Sequence, residues 1–370
     1  ISRTIDVDAR AGFFLFLAIF SPLTTVLSQK NLLAIYQGKA ASRLVLLLEE
    51  AGLFAVAIAL VFTGTRHQFS FGESLLLAST VFTQIYAVTG TGAVQHGTSN
   101  NSFWAAWVLA MAGVRIGVTW LALPFGPVIA FSAGCYAYMI ACRTLKFIAM
   151  RHHARTADLV EPGDRHDPWR DRLASLAFIV ISALTFQVDK YVLSGAGLPE
   201  AVADSGAFTM LMLSPISMVF ATIYRQRTRA LFDPGKPARA KLGVLGRISG
   251  QFVGIIAIYL VLLALAWNLA VLLAFPFLKS APAIGMMLGL AIVVDRLGTL
   301  LVFAAQSARM NLVTVAYKAV VMLAIALISR HLPAKDLLLG LYALYAAGSV
   351  GYFCLMAALV FRKRDHATHG

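Results

Sequence analysis

Charged residues are scarce in this chain of 370 residues, of which only 13% are Asp, Glu, Lys or Arg. Soluble domains carry roughly 25% charged residues, so a water-soluble globular fold is excluded. Hydrophobic residues make up 59% of the chain. The apolar runs lack the ten-residue alternating pattern of barrel strands, which predicts helices as the membrane-spanning elements.

Residues that commonly carry catalysis are few or lie away from the predicted helix centres. The three cysteines, Cys135, Cys142 and Cys354, fall in apolar runs, where cysteine behaves as a small packing residue. All eight histidines lie outside the centres of the predicted helices, and no metal-ligand spacing or nucleophile–base spacing occurs. We therefore predict no catalytic residues, no metal site and no cofactor, and do not expect an enzyme.

Eleven apolar runs are long enough to cross the hydrocarbon layer, which takes about 17–25 residues of helix. The predicted spans are 11–28, 43–63, 72–92, 103–122, 125–147, 172–195, 202–223, 249–276, 283–305, 311–329 and 337–361. The predicted fold is an all-α integral membrane protein with about 11 transmembrane helices.

The net charge of +14 is unevenly divided between the two sides of the membrane. With the N-terminus outside, the loops assigned to the cytoplasm hold 21 Lys and Arg residues, whereas the opposite loops hold six. This is the positive-inside pattern of membrane proteins. The basic excess therefore indicates topology, and no nucleic-acid partner is predicted.

Cysteine labelling tests this orientation. Single cysteines introduced at Gly197 and Lys279 are expected to react with a membrane-impermeant thiol reagent added outside, because both positions fall in outer loops. Cysteines at Arg155 and Lys236 are expected to react only after the membrane is permeabilised. Labelling of the second pair alone in intact cells would contradict the orientation.

A repeated Ser-Pro dipeptide indicates an internal duplication. Ser21-Pro22 and Ser214-Pro215 stand in the middle of two spans, 193 residues apart, and a turn containing Gly-Lys follows each. Chance similarity between apolar runs is the alternative explanation. Each proline removes a backbone hydrogen bond and bends its helix, which predicts either a hinge or a fixed kink.

A duplication at this offset predicts two lobes in parallel repeat. The sixth predicted span then has its counterpart before residue 1, so the first helix of a twelve-helix pattern is expected to be absent from the chain. The predicted lobes cover residues 1–148 and 172–370, and a cytoplasmic linker over 149–171 joins them.

The second lobe opens with the sequence FQVDKYVLSGAG, residues 186–197. With the two lobes and their proline-broken helices, it resembles the multidrug/oligosaccharidyl-lipid/polysaccharide exporter superfamily, and within it the polysaccharide (O-antigen type) flippases. The matching features are Asp189-Lys190, the small-residue turn at 194–197 and the acid–glycine segment at 204–206. The resemblance implies a carrier that moves a lipid-linked oligosaccharide, of the undecaprenyl-pyrophosphate type, across the bacterial inner membrane.

Six charged residues fall well inside predicted spans, where a charge at the helix centre costs at least about 2.5 kcal/mol. They are Arg115, Asp189, Lys190, Asp295, Arg296 and Lys318. Charges in such positions face a bundle interior or a wet cavity, so these six are the predicted substrate-binding residues. Their positive excess suits a pyrophosphate headgroup, because the guanidinium of arginine binds phosphate through two parallel hydrogen bonds.

Structural explanations stay open for the same residues. Lys190 and Lys318 have side chains long enough to reach the headgroup region. Arg115, Asp295 and Arg296 also fit a second explanation, in which they form static ion pairs between helices.

Two other transport or enzyme functions remain as alternatives, and a non-transporting scaffold is a third if the first helix is truly absent in the cell. The first is a cation-coupled drug or small-molecule antiporter of the same superfamily, in which an excess of acids is expected. The second is a membrane enzyme of polysaccharide assembly, which is expected to have a large outer loop or a deep His–acid pair. The sequence shows neither a large outer loop nor a deep His–acid pair. The predicted partners are the lipid-linked cargo, membrane lipids and a polysaccharide polymerase or export protein.

Overall fold

The computed structural model describes residues 7–29, 39–40, 51–52, 54–56, 58–62, 69–83, 101–153, 165–166, 169–232, 238–305 and 308–365. These residues are almost entirely helical. Their only strands are β1 (Lys39–Ala40) and β2 (Arg165–His166), which pair in parallel. The all-α fold class is thus confirmed for the described part of the chain, whereas the count of eleven spans stays a prediction.

Helices of eight or more residues make up most of the described chain. In chain order they are α1 (Val7–Gln29), α2 (Phe71–Thr83), α3 (Asn101–Ala122), α4 (Pro127–His153), α5 (Trp169–Leu184), α6 (Val188–Gly195), α7 (Pro199–Phe208), α8 (Ser214–Phe232), α9 (Ala238–Leu265), α10 (Trp267–Ala274), α11 (Pro282–Ala305), α12 (Ala308–Ile328) and α13 (Leu337–Asp365). Four 3₁₀ turns and one π-helical turn connect them: Leu123–Phe125, Thr185–Gln187, Ser329–His331, Ala334–Asp336 and the π turn Thr209–Leu213.

Among the described residues, six stretches of helix are long and apolar enough to cross a membrane. They are Leu173–Gly195, Pro199–Tyr224, Gly243–Leu265, Pro282–Phe303, Arg309–His331 and Ala334–Val360. Each overlaps one of the six spans predicted between 172 and 361. Shorter apolar helices overlap the predicted spans 11–28, 72–92 and 103–122, and most of the predicted span 43–63 lies outside the described residues. The chain is a multi-pass membrane protein.

The chain divides into two compact units. The first consists chiefly of Leu15–Arg172, and the second of Leu173–Gly370 together with Asp6–Phe14. The first turns of α1, predicted as part of the first lobe, thus pack with the second unit. The reason is visible at Gly206 of α7, where a Cβ would lie 2.2 Å from the ring of Phe14.

The first unit is held together by close packing between α3 and α4. At Gly134, an added Cβ would lie 2.0 Å from the hydroxyl of Thr119, so only glycine allows this approach. The ring of Phe131 on α4 packs against Phe16 and Phe20 of α1, with centroids 5.4 and 5.8 Å away.

In the second unit, α11 and α13 pack against each other along their length. Gly298 of α11 lies under the ring of Tyr352, where a Cβ would come within 2.7 Å. Two interruptions shape the helices nearby: Phe186, with φ −92° and ψ 24°, separates α5 from α6, and Gly197, with φ 68°, turns the chain into α7. Together these features bring polar side chains of several helices into the interior.

Candidate functional site

A buried polar network surrounds the acid–base pair of α6. We call it the Asp189 cluster, and its members are Asp189, Lys190, Ser205, Thr209, Tyr342 and Tyr345. Lys190 Nζ lies 3.3 Å from Asp189 Oδ1 and donates a hydrogen bond of 2.8 Å to Thr209 Oγ1. Asp189 and Lys190 are only 1% and 2% exposed, so the pair is fully withdrawn from the surface of the unit.

The carboxylate of Asp189 is saturated with hydrogen bonds. Its Oδ2 accepts from the hydroxyls of Ser205 and Tyr342, and its Oδ1 accepts from Lys190 and from the hydroxyl of Tyr345. A buried ion pair is tolerated when additional hydrogen bonds satisfy its remaining lone pairs. The Asp189 cluster is therefore a closed network that joins α6, α7 and α13.

The break at Phe186 explains how α6 presents this acid. Because α6 begins again at Val188, the N–H of Asp189 is among the first four of the helix, which have no acceptor within it. That N–H donates to the hydroxyl oxygen of Tyr345 at 2.9 Å. A negative charge in the first turn is also stabilised by the helix dipole.

A second network lies where α5, α8, α11, α12 and α13 meet. We call it the Asp295 cluster, and its members are Asp295, Arg296, Lys318, Ser182, Ser217 and Tyr352. Lys318 Nζ lies 2.7 Å from Asp295 Oδ1, 3.4 Å from Ser182 Oγ and 4.7 Å from the centre of the Tyr352 ring. The structure thus places Lys318, like Lys190, in a buried ion pair.

Two polar atoms of the Asp295 cluster lack hydrogen-bond partners among the residues that the structure describes. Arg296 donates to Ser217 Oγ at 3.1 Å, but its NH1 stays 3.8 Å from Asp295 Oδ2. Within the described residues, Asp295 Oδ2 and Arg296 Nε are both buried and have no hydrogen-bond partner. Two cations face one carboxylate, and the Arg296 side chain is 16% exposed, so this cluster has a net positive charge and an unused donor.

The two clusters lie at different depths of the second unit. Tyr342 of the first and Tyr352 of the second are ten residues apart on α13, which corresponds to about 15 Å at 1.5 Å per residue. The structure therefore brings the five predicted site residues of this unit together as two separate groups.

Arg115 belongs to the first unit and has a different environment. Its NH2 lies 3.5 Å from Cys135 Sγ, and its guanidinium carbon lies 5.6 Å from the centre of the Phe131 ring and 6.0 Å from that of Tyr138. In the part of the chain that the structure describes, no carboxylate pairs with it. The positive charge of Arg115 is half-buried among aromatic rings and is not neutralised there by an acid.

The two predicted hinge prolines lie in helices of different geometry. Helix α1 continues through Pro22 to Gln29, and the side chain of Pro22 lies outside the described residues. Pro215 is the second residue of α8, which follows the π turn directly. Whether either proline acts as a hinge stays a prediction.

Several residues of the two clusters carry no charge, and sequence reasoning missed them. They are Ser182, Ser205, Thr209, Ser217, Tyr342, Tyr345 and Tyr352. A signal was present for the tyrosines, because positions 342, 345 and 352 are spaced by three and seven residues and so share one helix face. The serines and threonines gave no such signal, since single hydroxyls are common in membrane helices.

Comparison with known proteins finds no match for this chain: no family model fits it, and no curated protein or solved structure is significantly similar. Among the described residues, no group of three or more His, Cys, Asp and Glu side chains is placed to hold a metal ion. The six charged residues predicted from the sequence are those of the two clusters and Arg115.

Proposed function

We propose that this protein is a flippase that moves a lipid-linked oligosaccharide or polysaccharide precursor across the bacterial inner membrane by alternating access. The proposal rests on the positively charged Asp295 cluster together with the FQVDKYVLSGAG motif. The family resemblance supplies the cargo class, and the cluster supplies a group suited to its diphosphate headgroup.

One observation carries the proposal: the guanidinium-bearing side chain of Arg296 is partly exposed, and it stands in a cluster where two cations face one carboxylate. Arginine binds phosphate oxygens through charge-assisted hydrogen bonds, which are roughly twice as strong as neutral ones. Asp295 and Ser217 orient the guanidinium, and Lys318 neutralises Asp295, so that the charge of Arg296 is left for a ligand. A diphosphate is the ligand chemistry that fits this positive charge.

Translocation in sealed vesicles tests the function. The purified full chain is reconstituted with a fluorescent undecaprenyl-diphosphate oligosaccharide, and a membrane-impermeant reductant destroys the label in the outer leaflet. We expect the protected fraction to fall in vesicles that contain the protein, while a labelled phosphatidylcholine stays protected. An unchanged protected fraction for the oligosaccharide lipid would contradict the proposal.

The alternatives give different results in the same vesicles. An antiporter would accumulate a cationic dye when a proton or sodium gradient is imposed, without moving the lipid. A polymerising enzyme would lengthen the oligosaccharide, which mass spectrometry of the extracted lipid detects. Either result in the absence of translocation would replace the flippase proposal.

A further inference from the structure

Pro215 leaves the backbone carbonyl of Leu211 without its α-helical donor. Proline has no N–H, so residue 215 cannot donate to the carbonyl of Leu211, four residues earlier. The N–H of Ser214 donates to the carbonyl of Thr209, five residues earlier, which is the hydrogen bond of a π turn. A carbonyl left free in the membrane interior is unfavourable unless another donor reaches it.

Tyr259 of α9 supplies that donor. Its hydroxyl donates to the carbonyl oxygen of Leu211, which is the acceptor that Pro215 leaves free. The turn is also closely packed on its other side, because a Cβ at Gly289 of α11 would lie 3.1 Å from the sulfur of Met212. The bend is therefore braced by α9 and α11 rather than free to move.

The segment 209–217 connects the two charged clusters. At its first residue, Thr209 accepts the hydrogen bond from Lys190. At its last residue, Ser217 accepts the hydrogen bond from Arg296. A change in the bend between these two residues changes where Ser217 lies and therefore where the Arg296 guanidinium is held.

We propose that Tyr259 is a positioning residue for Arg296: its hydroxyl fixes the bend at Pro215, and the bend places Ser217 under the guanidinium. The effect of Tyr259 on cargo binding rests on the proposed function. Its effect on the backbone of residues 209–217 does not, and hydrogen exchange measures that effect separately.

Hydrogen exchange in the purified full chain tests the brace. In Tyr259→Phe, the amides of residues 209–217 are expected to exchange about tenfold faster, which is the equivalent of one lost hydrogen bond of about 1.4 kcal/mol. Adding Pro215→Ala is expected to restore protection, because the new N–H can donate to the carbonyl of Leu211. Unchanged exchange in Tyr259→Phe, or a defect that Pro215→Ala does not reverse, would overturn the proposal.

Tyr317 provides a matched control. Its hydroxyl donates to the carbonyl of Gly348 at 3.0 Å, but residue 352, four positions later, is not a proline and keeps its N–H. Tyr317→Phe is therefore expected to leave exchange in 209–217 unchanged, and Pro215→Ala is expected to have no effect on the Tyr317→Phe variant. An equal rescue of both tyrosine variants would mean that Pro215→Ala stabilises α8 generally, which would overturn the assignment.

Binding of undecaprenyl diphosphate in detergent tests the positioning of Arg296. We expect about tenfold weaker binding in Tyr259→Phe and recovery in the double variant, in parallel with the exchange data. Normal binding by Tyr259→Phe despite faster exchange would show a braced bend that does not position Arg296, which overturns the proposal. No binding by the unmodified chain would count against the proposed function alone, because the exchange result is independent of the ligand.

Discussion

Replacing Asp189 with alanine is expected to lower the free energy of unfolding by about 3–5 kcal/mol, the usual cost of stranding one partner of a buried ion pair. Lys190 is 2% exposed and has no other carboxylate beside it among the described residues. The hydroxyls of Ser205, Tyr342 and Tyr345 lose their shared acceptor at the same time. Titration of the purified full chain from mild into denaturing detergent measures the change.

Two variants separate the loss of the pair from other effects. Lys190→Met in the Asp189→Ala background is expected to recover part of the stability, because it removes the stranded charge. The exposed pair Glu200–Lys279, at 64% and 73% exposure, provides the control, and Glu200→Ala is expected to cost less than about 1 kcal/mol. A cost for Asp189→Ala as small as that of the control would contradict the closed network.

Lys318→Met is expected to lower the free energy of unfolding by less than Asp189→Ala does. The expected loss is about 1.5–3 kcal/mol, the usual contribution of one hydrogen bond to a charged group. The variant removes the 2.7 Å bond to Asp295 Oδ1. It does not strand the carboxylate, because Arg296 remains 3.8 Å from Oδ2 and can take over its neutralisation. The same detergent titration compares this variant with Asp189→Ala.

The informative result is which of the two variants, Lys318→Met or Asp189→Ala, loses more free energy of unfolding. If Lys318→Met destabilises the chain as much as Asp189→Ala, Arg296 does not neutralise Asp295, and the account of the Asp295 cluster as a positively charged site fails. Asp295→Asn combined with Lys318→Met removes both charges and is expected to destabilise the chain at least as much as Lys318→Met alone, because it leaves Arg296 without its acid. Lys279→Met, at an exposed lysine, serves as the control for loss of a lysine side chain.

Much of the helical architecture could be predicted from the sequence, because each span must satisfy its backbone within itself and be apolar over its length. The predicted spans 172–195 and 283–305 end within two residues of the observed Leu173–Gly195 and Pro282–Phe303. The span 249–276 was less accurate, since α9 ends at Leu265 and α10 begins after a break at Ala266. No glycine or proline marks that break in the sequence.

The charged members of the site were also predictable, because an ionisable residue deep in an apolar run is costly wherever it lies. Their partners were not. Neighbours on a helix point about 100° apart, so the adjacency of Asp189 and Lys190 does not imply a pair. The pairing depends on the first turn of α6 and on Thr209, and both are set by tertiary packing.

The π turn is the feature that could least be predicted from the sequence. The Ser214-Pro215 dipeptide predicted a bend but not its form, since a proline is compatible with a simple kink. The extra residue of the turn is accommodated by the glycine at position 289 and by the hydroxyl of Tyr259, which lie on two other helices. Such compensation between helices leaves no local pattern.

Binding of undecaprenyl diphosphate to the Arg296→Gln variant tests the central claim most directly. The substitution removes the excess positive charge and leaves the Lys318–Asp295 pair balanced, so the unfolding midpoint should stay close to that of the unmodified chain. We expect the dissociation constant, measured on the purified full chain in detergent, to rise at least about tenfold, as the loss of a charge-assisted hydrogen bond predicts. Equal affinity of the variant and the unmodified chain would show that the Asp295 cluster does not bind the headgroup.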